Sequence, residues 1–279
     1  MPDLDSLWDF ANPAETEKRF RELLPEAEQS GDTSNYLQLL TQIARTQGLQ
    51  RQFTAAHKTL DQVEPQATIY PVVEIRYLLE RGRTYRSAGQ PQKALPLFQQ
   101  AYDRAIAAKE DFYAIDAAHM IAITVPTDEQ MAWNLKALTL AEQSPDPKAQ
   151  RWRGSLYNNM GWTYHDAGQF DQALDLFQKA LKFREEQGKS EDIRIAKYMV
   201  ARALRSLNRI DEALVILREI EHGEADGFIE EELAECLLLK GEVEAARPYF
   251  AAAYVHLSQD QWLVRQEPLR LTRLNTLSK

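Results

Sequence analysis

Residues 157–177 read Tyr157-Asn-Asn-Met160-Gly161-Trp-Thr-Tyr164-His-Asp-Ala167-Gly168-Gln169-Phe-Asp171-Gln-Ala173-Leu-Asp-Leu-Phe177, and this stretch decides the fold. Its skeleton already stands upstream as Gly82-x2-Tyr85-x2-Ala88-Gly89-Gln90…Ala94-x3-Phe98. Self-similarity of this kind marks stacked helical hairpins rather than a globular catalytic domain. Gly82 and Gly161 lack a side chain where the first helix of a pair must let the second approach, and Ala94 and Ala173 do the same from the other side. Gly89 and Gly168 fall where a helix C-terminus turns left-handed. Asp171 and Asp211 stand where a cap for the next helix is expected.

Weaker copies flank these anchors, at Ala201-x2-Leu204…Ala213-x3-Leu217, at Ala234-x2-Leu237-x3-Gly241…Ala246-x3-Phe250 and, with a short insertion, at Ala44-x3-Gly48…Ala56-x3-Leu60. A degenerate copy over 112–141 keeps Ala118 and Lys136-Ala137-Leu138 but replaces the turn with Pro126-Thr127-Asp128. The alanine that opens each second helix recurs at 56, 94, 173, 213 and 246, and the long gap from 94 to 173 holds two units.

On these residues the chain resembles the tetratricopeptide repeat family, whose aromatic, Leu-Gly, Tyr and Ala-x3-Phe pattern it follows almost letter for letter at 157–177, with most units longer than the family's ~34 residues. The resemblance implies an all-α, right-handed superhelical solenoid of antiparallel helix pairs. About six repeats would occupy 34–257, between an N-terminal capping helix within 1–33 and a C-terminal capping helix within 258–279, because the end faces of a solenoid have no neighbour. Asn12-Pro13-x-Glu15 reads as the start of the first cap, with Phe20, Leu24 and Ala27 on its apolar face. Trp262 to Leu277 reads as the second, interrupted by Pro268.

Of 279 residues, 44% are hydrophobic and 27% charged, with 11 Gly and 12 Pro, which suits helices and an extended core. The acidic N-terminus is not read as a secretory signal, and no apolar run approaches the ~18 residues of a spanning helix. A cytoplasmic location is therefore expected. Cys236, the single cysteine, sits in an apolar run and is read as a core thiol. No GxxxxGK[ST], GxSxG, HExxH or paired CxxC is present, and the histidines at 57, 119, 165, 222 and 256 are scattered. The reading is a non-enzymatic protein without metal or cofactor.

In the resembled family the first helix of each pair lines the concave wall. With the small residues at 82, 118, 161, 201 and 234 as reference, the residues one and four places later form two rows. The first runs Gln42, Arg83, His119, Trp162, Arg202, Glu235, and the second Arg45, Arg86, Ala122, His165, Arg205, Leu238. Asn158 and Tyr198 join them. For a chain of formal charge -9, five arginines on one surface run against the average composition. The candidate groove is Arg45, Arg83, Arg86, His119, Asn158, Trp162, His165, Tyr198, Arg202 and Arg205, with guanidinium forks for carboxylates and Trp162 as the apolar anchor. The alternative is that these arginines pair with Glu80, Asp116 or Asp166 and knit neighbouring repeats together.

Family members that hold chaperone C-termini use Lys and Asn at set first-helix positions. Here only Asn158 and Asn159 echo them, while Leu79, Glu80 and Arg83 depart, so that clamp is not carried over. Nine acidic residues between 221 and 247 (Glu221, Glu224, Asp226, Glu230, Glu231, Glu232, Glu235, Glu242, Glu244) read as a solvated face, or as a surface for self-association that meets the arginines of another copy or shields its own. Net acidity opposes nucleic acid. The function expected is a scaffold or adaptor binding an acidic peptide segment of a partner protein. The competing reading is a cytoplasmic sensor of a small peptide or anionic ligand that regulates a separate partner. Self-association through the caps or the acidic segment is a further option.

Overall fold

The computed structural model describes residues 4–222 and 226–279, so residues 1–3 of the N-terminal segment and Glu224 lie outside the described residues. The chain divides into two compact units, residues 1–156 and 157–279. All regular structure among the described residues is helical.

In the first unit a short 3-10 turn, Leu4–Leu7, precedes α1 (Pro13–Gln29). Three helix pairs follow: α2 (Thr33–Leu49) with α3 (Phe53–Ala67), α4 (Pro71–Ser87) with α5 (Pro91–Ala108), and α6 (Asp111–Ala122) with α7 (Thr127–Gln143). The one-turn α8 (Pro147–Gln150) packs on α6 and leads into α9 (Trp152–Asp166). The first helices stack side by side, α2 on α4 and α4 on α6. Helix α1 starts at Pro13 and buries Phe20 and Ala27 against Leu37, Leu40 and Ile43 of α2.

The second unit contains most of α9, then α10 (Phe170–Gln187), α11 (Ser190–Ser206), α12 (Ile210–Ile220), α13 (Gly227–Leu239) and α14 (Val243–Leu257). Pro268 splits the terminal segment into α15 (Gln261–Gln266) and α16 (Pro268–Leu277), with the proline at the first helical position of α16. Leu271 and Leu274 of α16 close the end of the core against α14. Trp262, at 60% exposure, and Leu269, at 84%, stay in solvent.

The repeat letters have a direct packing meaning. Phe98 and Phe177 are fully buried, and each ring lies on the bare backbone of the glycine in the partner helix. A Cβ added at Gly82 would fall 2.5 Å from Phe98 Cε1, and one at Gly161 would meet Phe177 at least as closely. The left-handed turns also fall where read, with φ +77° at Gly89 and +73° at Gly168. Asn208 and Arg51 take the same conformation in the weaker repeats, so the turn persists there without glycine.

The capping expectation needs correction. Gln169 and Arg209 occupy the cap positions of α10 and α12, without a side-chain cap. Asp171 and Asp211 lie inside the first turn, where a negative charge still favours the helix dipole, and Asp211 accepts from Lys240 at 2.7 Å. No described helix is long and apolar enough to cross a membrane.

Gly82→Ala is expected to lower stability by about 1–3 kcal/mol despite alanine's better helix propensity, because the ring of Phe98 has nowhere to move. Urea unfolding followed by circular dichroism checks this; an unchanged midpoint would show that the close approach is not needed.

Candidate functional site

The site is built by side chains of α2, α4 and α6. Arg45 of α2 donates through Nη1 to Glu80 Oε1 of α4 at 3.2 Å. Arg83, one turn further along α4, donates to the same oxygen at 2.6 Å and to Asp116 of α6 through its other nitrogen. Glu80 and Asp116 are 3% and 5% exposed, so the row Arg45–Glu80–Arg83–Asp116 runs across three repeats nearly out of water. Burial opposes the charge of Arg83, but Asp116 and Glu80 outweigh it and hold its pKa above the ordinary guanidinium value. Burial likewise opposes ionisation of Asp116, and Arg83 and Arg45 reverse it, keeping that carboxyl below the usual carboxylate value. Arg45 is the least compensated member: burial, then the neighbouring Arg83, lower its pKa.

This row forms one wall of a cavity of about 620 Å³ in the first unit. Among the described residues its lining includes the cations Arg45, Arg76, Arg83, Lys148 and Arg151 and the carboxylates Glu80 and Asp116. Aromatic rings stand at both ends. At the α2 end, Trp8 and Phe10 stack at 4.7 Å, with planes 8° apart and the Arg45 guanidinium over both rings. Trp8 Nε1 donates to Gln42 Oε1 at 3.0 Å, and its ring packs edge-on to Phe20. At the α6 end, Phe112, Tyr113 and His119 cluster with Trp152, whose centroid lies 6.2 Å from Phe112 and 5.3 Å from His119. Tyr113 accepts from Arg76 Nε at 2.7 Å beneath the guanidinium plane.

The ten groove candidates therefore separate. Arg45, Arg83 and His119 line this cavity. Arg86 borders a smaller one of about 340 Å³ beside Arg45 and Arg83, and donates to the Ile123 carbonyl at the C-terminus of α6 at 3.0 Å. The other six lie in the second unit. Arg202 donates to Glu232 Oε2 at 2.8 Å, and Arg205 grips both oxygens of the same carboxylate. Tyr198 stands nearby, its pKa raised by burial and then by the charge of Glu232. His165 bonds Ser206 Oγ through Nε2 at 2.9 Å, and the hydroxyl donates to the Arg202 carbonyl, so this pair is a helix-end tie rather than an activated nucleophile. Trp162 packs edge-on between His165 and buried Phe177. Asn158 Oδ1 is buried without a hydrogen-bond partner among the described residues.

The acidic segment is a solvated face only in part: Glu242 and Glu244 are exposed, whereas its middle is taken up by arginines. Glu232 is 1% exposed beneath Arg202 and Arg205, Glu231 accepts from Arg270 at 2.5–3.0 Å, and Glu235 accepts from Arg273. Glu230 pairs with His256 at 2.6 Å. Of the two roles read for this run, it is the shielding of the chain's own arginines that these contacts display. Arg202→Glu would set one carboxylate against another that is buried, so a charge reversal there disturbs folding as well as binding. Cys236 lies in the same core, its thiol pushed up to about 12 by burial first and then by Glu232, which leaves it unreactive.

Sequence reasoning named Glu80 and Asp116 as partners of the arginines in its alternative reading but missed Glu232. Glu80, Asp116 and Glu232 each stand two residues before the small residue of their helix, and each receives an arginine of the preceding repeat, 27 to 35 residues upstream. That recurring offset was the available signal. The aromatic ends of the cavity carry no repeat letter, since Trp8, Phe10 and Trp152 lie outside the motif.

Three comparisons bear on this arrangement. Residues 132–186 and 152–221 match the family model for the tetratricopeptide repeat. The fold is similar to that of the apo form of RapI, at 12% identity and TM-score 0.72 over 92% of this chain and 76% of that one. It is also similar to NprR in complex with its cognate peptide NprX, at 15% identity and TM-score 0.59 over 93% of this chain and 78% of that one. A third likeness is to the STAND protein with a tetratricopeptide repeat sensor PH0952 from Pyrococcus horikoshii, at 15% identity and TM-score 0.71 over 96% of this chain and 45% of that one. A comparison with curated proteins found no match.

Burial lowers the pKa of His57, His119 and His165, helped by Arg81, by Arg83 and Arg86, and by Arg202 respectively, while Asp116 partly restores that of His119. The folded state thus favours neutral imidazole. The associated stability is complete above the reference value of 6.5 and is lost as pH falls from there through the depressed folded values. The urea midpoint is expected to drop between about pH 7 and about pH 5, and to drop less in His119→Gln. Equal drops in both proteins would remove His119 from this account.

Proposed function

The chain is a tetratricopeptide-repeat protein, and from that premise we propose that it is a non-catalytic interaction scaffold whose first unit binds an acidic peptide segment of a partner protein. The observation that carries this reading is the concentration of guanidinium groups and aromatic rings around one cavity, in a protein that is acidic as a whole. Glu80 and Asp116 are engaged by Arg45 and Arg83, and Arg151 adds an exposed cation to the lining. Exposed Lys148 and Arg151 supply long-range attraction, and the buried row supplies fixed hydrogen-bond geometry. The likeness to NprR, which was solved with its cognate peptide, supports a peptide rather than nucleic acid as the ligand class. The arginines of the second unit are assigned to packing in this proposal, because Glu232 already takes both.

A second reading is favoured by the cavity volume, which falls within the range of small-molecule sites. On that reading the chain senses a short peptide or small anion in the cytoplasm and a separate partner reads the change.

The test uses fluorescein-labelled acetyl-Glu-Asp-Phe-Asp-Glu-amide in anisotropy titrations at low and moderate salt. Wild type is expected to bind it with strong salt dependence, and Lys148→Glu/Arg151→Glu to weaken binding about tenfold with its melting temperature retained. Citrate displacing the peptide at equal concentration would favour the small-anion sensor. Equal affinity of wild type and double variant would remove the cavity from the proposal.

A further inference from the structure

The segment ahead of α1 covers part of the concave face that the repeats build. Residues 4–10 lie outside the helix pairs, and α1 already packs Phe20 and Ala27 against α2 without them. Yet Trp8 reaches back to α2, where Nε1 donates to Gln42 Oε1 at 3.0 Å and the ring packs edge-on to Phe20 at 5.4 Å. Phe10 stacks on Trp8, and the Arg45 guanidinium stands over the two rings at 5.5 and 5.6 Å. Gln42 and Arg45 are the first-repeat members of the two groove rows, and Gln42 is left only 3% exposed. The chain's own rings therefore sit where a ligand would meet the first repeat.

The seat is light, and the attachment behind it is firm. Among the described side chains of 4–10 only Leu4 is buried, while Trp8 is half-buried and Phe10 is 61% exposed. At Asp9 the backbone is tied to α1: its N–H donates to Thr16 Oγ1 at 3.1 Å, and that buried hydroxyl donates back to the Asp9 carbonyl at 3.0 Å. The Asp9 carboxylate accepts from the N–H groups of Ala11 and Asn12 at 3.1 and 3.3 Å. A segment with few buried apolar contacts opens locally at low cost, and a fixed root keeps it beside its seat. Arg45 gains from such opening, because burial and then Arg83 oppose its charge while the rings cover it.

We propose that residues 4–8 are a strap, pivoting at Asp9, whose Trp8 occupies the α2 end of the cavity and withholds Gln42 and Arg45 from a ligand until it lifts. The strap regulates the same cavity as the acidic-peptide reading and rests on that reading for the ligand it holds off. Because it is tethered, the strap competes at an effective concentration of about the millimolar range. Weak ligands leave it closed, and a ligand that needs the first repeat must displace it.

The test titrates the chain's own residues 4–12, as fluorescein-labelled Leu-Asp-Ser-Leu-Trp-Asp-Phe-Ala-Asn, into the full chain and follows anisotropy. Trp8→Ala is expected to bind this peptide about tenfold more tightly than wild type, and Phe10→Ala about threefold, because each loosens the tethered competitor. The same peptide with Ala for Trp should bind none of the three proteins. Phe10 is exposed, so Phe10→Ala should keep the wild-type melting temperature and decides the outcome alone if Trp8→Ala loses its fold. Equal affinity of all three proteins for the peptide, or no binding by the folded variants, would overturn the strap. The acidic probe acetyl-Glu-Asp-Phe-Asp-Glu-amide is likewise expected to bind Trp8→Ala about tenfold more tightly than wild type. Equal binding of that probe to wild type and both variants would overturn the strap as a gate and leave the acidic-peptide reading standing. Its failure to bind any of them, with the 4–12 peptide still discriminating, would overturn the acidic-peptide reading and leave the strap.

Discussion

The contact on which this protein depends is a phenyl ring laid on a bare helix backbone. Phe98 over Gly82 and Phe177 over Gly161 let the two helices of a pair close to a distance that any side chain would prevent. Where the glycine is replaced by Ala118, Ala201 or Ala234, the residue remains fully buried. Once the pairs close, the first helices are held side by side, and residues one and four places after the small residue are brought within bonding distance of the next helix.

That approach creates an electrostatic problem and its remedy together. Arginines brought into a narrow, poorly hydrated strip repel one another and lose hydration, and a carboxylate from the adjoining helix offsets both costs only when the geometry is good. Arg45, Arg83, Arg202 and Arg205 each have such a carboxylate, and Arg86 finds a helix-end carbonyl instead. The balance differs between the two units. Around Glu232 two arginines share one acid within the second unit, whereas in the first unit Arg83 bridges two acids, Glu80 and Asp116, and shares Glu80 with Arg45.

The fold was legible in the sequence because packing repeats: the same small residue, the same aromatic and the same turn recur at intervals that only stacked hairpins explain. Part of the site was legible for the same reason, since Arg45, Arg83 and His119 follow the repeat register into the cavity and Glu80 and Asp116 could be named as partners of the arginines. Glu232 was hidden because it sits in a run of acids that reads as surface, and only the contact with the preceding repeat reveals it as buried. Trp8, Phe10 and Trp152 were hidden for a different reason: they come from non-repeating segments, where no periodicity predicts which helix they lean on.

Three neighbouring acids of α13 divide their attention in opposite directions. Glu232 looks back to Arg202 and Arg205 of α11, while Glu231 and Glu235 look forward to Arg270 and Arg273 of α16. The inner junctions thus share one key, an acid two places before the small residue, while the junction with α16 has its own. A hairpin copied from the interior would meet α16 without the two acids that fit its arginines, so the last hairpin is the one least free to change places in the stack.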